Sequence, residues 1–325
     1  MDSVTIRSMA RESRSLAAFC VAMAALAVVC VAGLVLDPRL LGGQPLWAKP
    51  LKFSVSFVLY SATLAWMISL VAVPRTRRWA RRAGVVVAVA GTIEMIAIVG
   101  QVVRGRASHF NVATPLDTAV WSVMGTTIVV LWLATAGLGV LLLRERSLAI
   151  DTAWAVRLGL VVTLLGMAVA FLMTGPTGAQ VAAAQATGAM PTVGAHAVAV
   201  PDGGPGLPLV GWSTTGGDLR IAHFVGLHAL QGLPLLALGL GLLAARRPVL
   251  RDARVRAHLV VVAGAAWTGL TVLLTWQALR GQPLIAPDGT TLAAAAALLV
   301  ASAAGALLVL RRGARPTPDR ILEPR

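Results

Sequence analysis

Residues 17–36 read AAFCVAMAALAVVCVAGLVL, a stretch with no charged side chain, bounded by Arg14 and Asp37. At about 1.5 Å per residue, a helix of this length covers the ~30 Å hydrocarbon core of a bilayer. Comparable apolar runs follow at 50–73, 84–103, 118–143, 155–174, 219–244, 257–279 and 291–311. The chain therefore reads as an all-α membrane protein with eight transmembrane helices, a single integral membrane domain over 1–325. Composition points the same way: 57% apolar residues, a mean hydropathy of +0.80 and only 13% charged residues exclude a soluble domain of 325 residues.

The cations give the expected topology. Of 28 lysines and arginines, all but Arg39, Lys49, Lys52, Arg104, Arg106, Arg220 and Arg280 fall on one side of the eight runs. The positive-inside rule makes that side, with both termini, cytoplasmic. Residues 312–325 then form a cytoplasmic tail, and 175–217 a Gly/Pro-rich extracytoplasmic loop. The net charge of +15 is a topology signal, supplied by arginines near anionic headgroups. No basic segment is interleaved with aromatics, so the expected partner is the lipid bilayer and not nucleic acid. The first run is too long for a signal-peptide core and lacks a small-x-small cleavage site, which makes it an uncleaved span. Cys20 and Cys30 both lie in it and read as packing thiols.

Within the long loop, PDGGPGLPLVGW (201–212) combines rigid prolines, turn-forming glycines and a Trp212 anchor. That favours an ordered cap over the bundle mouth above a flexible linker. An internal repeat is also visible. The third run ends Gln101-Val-Val-Arg104-Gly105 and the seventh Gln277-Ala-Leu-Arg280-Gly281, with Thr92 and Thr268 at matching positions before them. The second run begins Lys49-Pro-Leu-Lys52-Phe53 and the sixth Arg220-Ile-Ala-His223-Phe224. Two four-helix halves, 17–143 and 155–311, are expected in a parallel repeat.

Polar chemistry gathers at the outer edge. Lys49 and Lys52 are the only lysines, and with Ser56, Tyr60 and Thr63 they follow helical spacing along one stripe. The bland alternative is that the lysines snorkel and the hydroxyls bond back to carbonyls. Cations at a helix N-terminus oppose its dipole, so something negative should balance Lys49, Lys52, Arg220 and His223. Outer acids are available at Asp37, Asp117, Asp202, Asp218 and Asp288; an anionic ligand is the functional alternative.

In GDLRIAHFVGLHALQGLP (217–234), Asp218 reads as an N-cap, and Pro234 frees the carbonyl of Leu230. His228 and Gln231 share a helical face, whereas His223 and His228 lie about 140° apart. Glu94 is the one acid placed within a hydrocarbon run, and it is matched in depth with His228. An intramembrane carboxyl suggests a proton relay or buried pair; the bland reading is a neutral, hydrogen-bonded Glu94. Between the third and fourth runs, Thr114, Pro115 and Asp117 make a helix start. Arg104, Arg106, Ser108, His109 and Asn111 just before it sit at the outer mouth, where His109 reads as interfacial or ligating. His196, in the loop, and His258, on the cytoplasmic side, stand outside this group. No P-loop, nucleophile elbow, zinc-protease helix, Cys-x-x-Cys or histidine-box pattern is present.

WAKPLKF, RGRASHFN, DGGPGLPLVGW and GGDLRIAHFVGLHALQ resemble a family of bacterial multi-pass membrane proteins with no assigned activity. The resemblance spans 47–231 and implies a bacterial plasma membrane and nothing about chemistry. The leading functional reading is a transporter or ligand-binding protein with an outward-facing site for a small anion or anionic headgroup. Its candidate residues are Lys49, Lys52, Tyr60, Glu94, Gln101, Arg104, Arg106, His109, Asn111, Asp117, Asp218, Arg220, His223, His228, Gln231, Gln277 and Arg280. No cofactor or metal is assigned to it. The alternatives are a redox protein holding b-type haem or a metal through His109, His223 and His228, and a lipid-modifying enzyme with His228 or Glu94 as base.

Overall fold

The computed structural model describes residues 6–314, so Arg315, Arg320 and Arg325 of the expected tail lie outside the described residues. A short helix α1 (Ile6–Glu12) leads into α2 (Arg14–Leu36), which starts where Ser13 accepts a hydrogen bond from the Leu16 amide. A two-residue hairpin, β1 (Leu40–Leu41) with β2 (Gln44–Pro45), precedes α3 (Ala48–Ser69). Then come α4 (Pro74–Val103), α5 (Pro115–Leu143) and α6 (Ile150–Val169), the last continued by a 3₁₀ turn over Ala170–Met173. After a short surface helix α7 (Gly178–Thr187), the strands β3 (Ala197–Val198) and β4 (Gly217–Asp218) pair. The chain ends with α8 (Leu219–Leu227), α9 (Ala229–Leu243), α10 (Ala253–Leu279) and α11 (Gly289–Gly313).

Seven helical stretches are long and apolar enough to cross a membrane, and α8 with α9 supplies an eighth when the bent pair is counted as one span. These helices fit a multi-pass membrane protein, at the positions the apolar runs indicate. The sixth run differs in one respect: it bends by 42° at His228. The bend lies one to two turns before Pro234, which cannot donate to Leu230. Neighbouring helices take up the carbonyls around it: Trp267 Nε1 donates to Val225 (2.7 Å) and Thr163 Oγ1 to Leu227 (3.1 Å). Lipid offers no such partner, so this irregular backbone is held by protein, as a membrane requires.

Close approach at the bend needs glycine. A Cβ on Gly166 of α6 would lie 2.6 Å from the Gly226 Cα of α8, so the two backbones touch directly. The main core packs α2, α3, α4 and α5 around Leu16, Phe19, Leu64, Ile68 and Leu138, while α6 packs against α8, α9 and α10. Contacts of α5 with α6 and of α3 with α9 join these groups, and α11 lies along α10. Only Thr291 of α11 is buried.

The long loop is an ordered cap. Thr177 and Gln180 form a reciprocal capping box on α7, and Gln180 also grips Gly194 through both its amide and its carbonyl. Asn111 bridges to Thr192, and Val193 donates its amide to Phe110. Phe110 holds a left-handed φ of 62°, a conformation costing about 1–3 kcal/mol that the surrounding structure must fix. The opposite, arginine-rich end carries simpler contacts, such as Arg256 Nε to Asp151 Oδ2 at 2.6 Å.

Candidate functional site

At the capped end, most of the cations have partners inside the protein. Arg39 pairs with Asp37 (2.7 Å), Arg104 with Asp117 (2.8 Å), Arg220 with Asp218 (2.6 Å) and Arg280 with Asp288 (2.6 Å). The ends of α4 and α10 close in the same way. Gly105 and Gly281 take left-handed φ values of 64° and 72°, and the next residue's amide returns to the Gln101 or Gln277 carbonyl. Each arginine then reaches an aspartate that caps or opens the following helix, with Gln101 Nε2 joining at Asp117 (3.0 Å) and Gln277 Nε2 turned instead to the Pro283 carbonyl (2.9 Å). Outside the membrane, the arginines beside Asp37 and Asp288 hold those carboxyls well below the usual range.

Three cations at this end have no carboxylate. Arg106 is exposed in a turn, and Lys49 and Lys52 stand at the start of α3. Among the described residues Lys52 donates only to the Val210 carbonyl of the cap (2.9 Å), and Lys49 makes no hydrogen bond or ion pair. Both point into the region under the cap, where Lys49 lies within electrostatic reach of Glu94, Arg220 and Asp202.

Below Lys49 is a closed polar cluster. Glu94 of α4 is 1% exposed; its Oε1 lies 3.9 Å from His109 Nε2, and its Oε2 accepts from Thr127 Oγ1 of α5 at 3.4 Å. The His109 ring is boxed by Phe53, Phe110 and Trp121, with centroids 5.8, 6.0 and 5.6 Å away. Phe110 in turn stacks edge-on against His196 at 4.8 Å. Asp202 accepts the backbone amides of His196 and Ala197 and meets His196 Nδ1 at 2.8 Å. Burial first, then the nearby Lys49 charge, holds His109 well below the usual histidine range, so its ring is neutral. Burial also lowers His196, against the pull of Asp202. Burial works against the Asp202 carboxylate too, but the His196 hydrogen bond and charge outweigh it and bring Asp202 to about 2. His223 of α8 donates Nδ1–H to the Gly166 carbonyl (2.8 Å), an assignment that leaves Nε2 as the acceptor.

The second feature is a lateral groove of about 1,050 Å³ between α3, α8, α10 and α11. Lys52 and Ser56 line one wall, Phe224 and His228 the second, and Trp267 and Leu298 the third, with Val210 and Trp212 of the cap as roof.

These placements bear on four of the readings made from the sequence. Glu94 is matched to His109 and Thr127, whereas His228 is exposed on the groove wall; equal depth says nothing about which way a helix faces. His196 joins the histidine group, because the cap folds back and sets it on Phe110. The stripe on α3 is not one polar path: Tyr60 bonds Thr135 of α5, and Thr63 donates to the Leu59 carbonyl while receiving Gln231 Nε2 (3.3 Å). Lastly, the three histidines proposed for haem have different partners, although His109 and His223 lie within electrostatic reach of each other. His109 turns Nε2 toward Glu94, His223 is tied to Gly166, and only His228 lines the groove, so the residues present do not fit a two-histidine clamp. Among the described residues no three His, Cys, Asp or Glu side chains group as metal ligands.

Asn111 is structural, accepting the Ala113 amide and donating to Ala107. Thr127, His196 and Asp202 are site residues that sequence reasoning did not select. The His196–Asp202 spacing in a Gly/Pro-rich turn was the available signal. No protein-family model, curated protein or solved structure matches the chain.

Proposed function

We propose that the protein is a membrane transporter or ligand-binding protein whose outward-facing site takes a small anion or an anionic headgroup at Lys49 and Lys52. The supporting observation is electrostatic bookkeeping at the capped end. Four arginines there are neutralised by aspartates, yet the chain's only two lysines are left without a carboxylate, side by side at a helix N-terminus whose dipole opposes them. A bound anion removes that penalty and gains charge-assisted hydrogen bonds. Glu94, within reach of Lys49, competes with the anion for the same charge. Protonating Glu94 therefore favours the anion, and by linkage the anion favours protonation of Glu94. A span broken at His228 beside the lysines is the kind of element that lines sites in secondary transporters. The matching turns after Gln101 and Gln277 support two halves in a parallel repeat. Both termini are assigned to the cytoplasmic side of a bacterial plasma membrane by the arginine distribution and the sequence resemblance.

Thermal unfolding of the detergent-purified protein in inorganic phosphate, sulfate and short carboxylates tests this. A ligand at a hundred times its Kd adds about 2.7 kcal/mol, and the double change Lys49→Gln, Lys52→Gln removes the effect. Equal stabilisation of wild type and double variant would assign the anion elsewhere.

A further inference from the structure

The groove beside Lys52 is too large and too apolar for a small anion alone. Its volume of about 1,050 Å³ slightly exceeds the ~300–1,000 Å³ of ordinary small-molecule pockets. It follows α3 from Leu51 to Leu59, about 12 Å at 1.5 Å per residue. It opens sideways, because α11 packs along α10 and leaves the gap toward α3 unfilled. Water in such a space is unfavourable, and a hydrocarbon chain is the natural filling. The polar groups are not scattered. Lys52 stands under the cap, pinned to the Val210 carbonyl and so unable to snorkel away, and Ser56 lies one turn below it; the walls beyond are Leu270, Leu273, Leu298 and Leu299. A cation at the roofed end and apolar walls below match a headgroup and a chain in depth as well as in charge.

We propose that this groove holds a phospholipid with a net negative headgroup, drawn from the surrounding bilayer, its phosphate at Lys52 and one acyl chain against α10 and α11. This rests on the anion-binding reading above and names the substrate class of that site. Lys49 adds its charge from one turn earlier on α3, and His228 on the groove wall offers a second polar contact beneath the headgroup.

The test uses the full chain in phosphatidylcholine nanodiscs carrying a small fraction of photoactivatable phosphatidylglycerol, with the diazirine on the acyl chain. A photoactivatable phosphatidylcholine serves as control. The anionic probe is expected to label segments 51–59 and 295–302 about tenfold more than the control, the ratio of one good charge-assisted contact. Lys49→Gln together with Lys52→Gln should bring the two probes to parity. Ala266→Trp, which fills the groove from α10, should lower labelling at these segments about fivefold, the scale of a modest steric penalty. Ala295→Trp does the same from the exposed face of α11 and guards against misfolding of the first variant. Equal labelling by both probes in the wild type, or labelling indifferent to both tryptophans, overturns the proposal. If inorganic phosphate still stabilises the wild type but not the double lysine variant, the anion site stands and only the lipid assignment falls. If phosphate gives no such difference and the probes label equally, both fall.

Discussion

The closed cluster around His109 and the open groove beside Lys52 share the helix α3, and α8 turns His223 to the Gly166 carbonyl and Phe224 to the groove, but the two regions treat charge in opposite ways. In the cluster, Glu94 is buried, the imidazole of His109 is enclosed by three aromatic rings, and Asp202 from the cap takes three hydrogen bonds from two residues. In the groove, one ammonium faces a large apolar space with a single carbonyl as partner. Satisfied polar groups rigidify a fold; an unmatched charge at the mouth of a cavity invites a ligand. In the site proposed above, the cluster forms the floor and the lysine pair the binding edge.

The contact of α6 with α8 is the place to break this arrangement. Gly166→Val drives a side chain into the Gly226 backbone, moving both His223 and the bend at His228. We expect a loss of roughly 3 kcal/mol, or no folded protein, in thermal unfolding. A stable variant would show that the α6–α8 contact does not hold the two regions in register.

Next in size is the partnership of Glu94. Glu94→Ala or His109→Ala should each cost about 1–3 kcal/mol, by opening a cavity in the enclosed cluster and removing one of two buried polar groups that face each other. In a double-mutant cycle the pair should couple by about 0.5–3 kcal/mol, whereas Glu94 with His228 should be additive to within about 0.5 kcal/mol. Coupling to His228 in place of His109 would reverse the assignment of floor and wall.

Acid should act on the cluster first. His109 and His196 are both held below the ordinary histidine value, so the unfolded chain binds protons that the folded site refuses. The sign follows: their contribution is complete above about pH 6.5 and is lost as pH falls below it, by up to about 1.4 kcal/mol per pH unit for each group. Asp202 adds a separate loss, because its carboxylate contribution is present above the ordinary value near 3.9 and disappears toward about 2. Replacing His109 with Phe should flatten the first decline, as read from melting temperature against pH. An unchanged slope would mean that the aromatic box does not exclude the proton.

Much of the frame was legible because it depends on local chemistry. Apolar length sets each span, Thr114 and Asp218 start α5 and α8 as their side chains dictate, and the arginines near aspartates at the capped end found those partners. The floor of the site was not legible. Its assembly depends on which way Glu94 faces around α4, a matter of packing against α5 and the 107–111 turn. It depends equally on a cap route through left-handed Phe110 and Gly194 that brings His196 back over the bundle. Counting residues gives depth, and azimuth comes only from tertiary contacts. The groove was invisible for a similar reason, since it is a gap between helices and not a property of any one of them.

The smallest expected effect on stability is that of the lysines: Lys52→Gln should change unfolding by no more than about 0.5 kcal/mol, since it leaves one carbonyl to find another donor. That tolerance permits the most direct test of the central claim, that Lys49 and Lys52 form an anion site open to the outer face. With Cys20 and Cys30 replaced by alanine, Lys52→Cys is labelled in intact bacterial cells with a membrane-impermeant maleimide, and the rate is measured again in the presence of an anion that stabilises the wild type. The account predicts labelling from outside, slowed severalfold by that anion in a variant that keeps Lys49. Labelling only after the cells are permeabilised, or a rate indifferent to the anion, would contradict it.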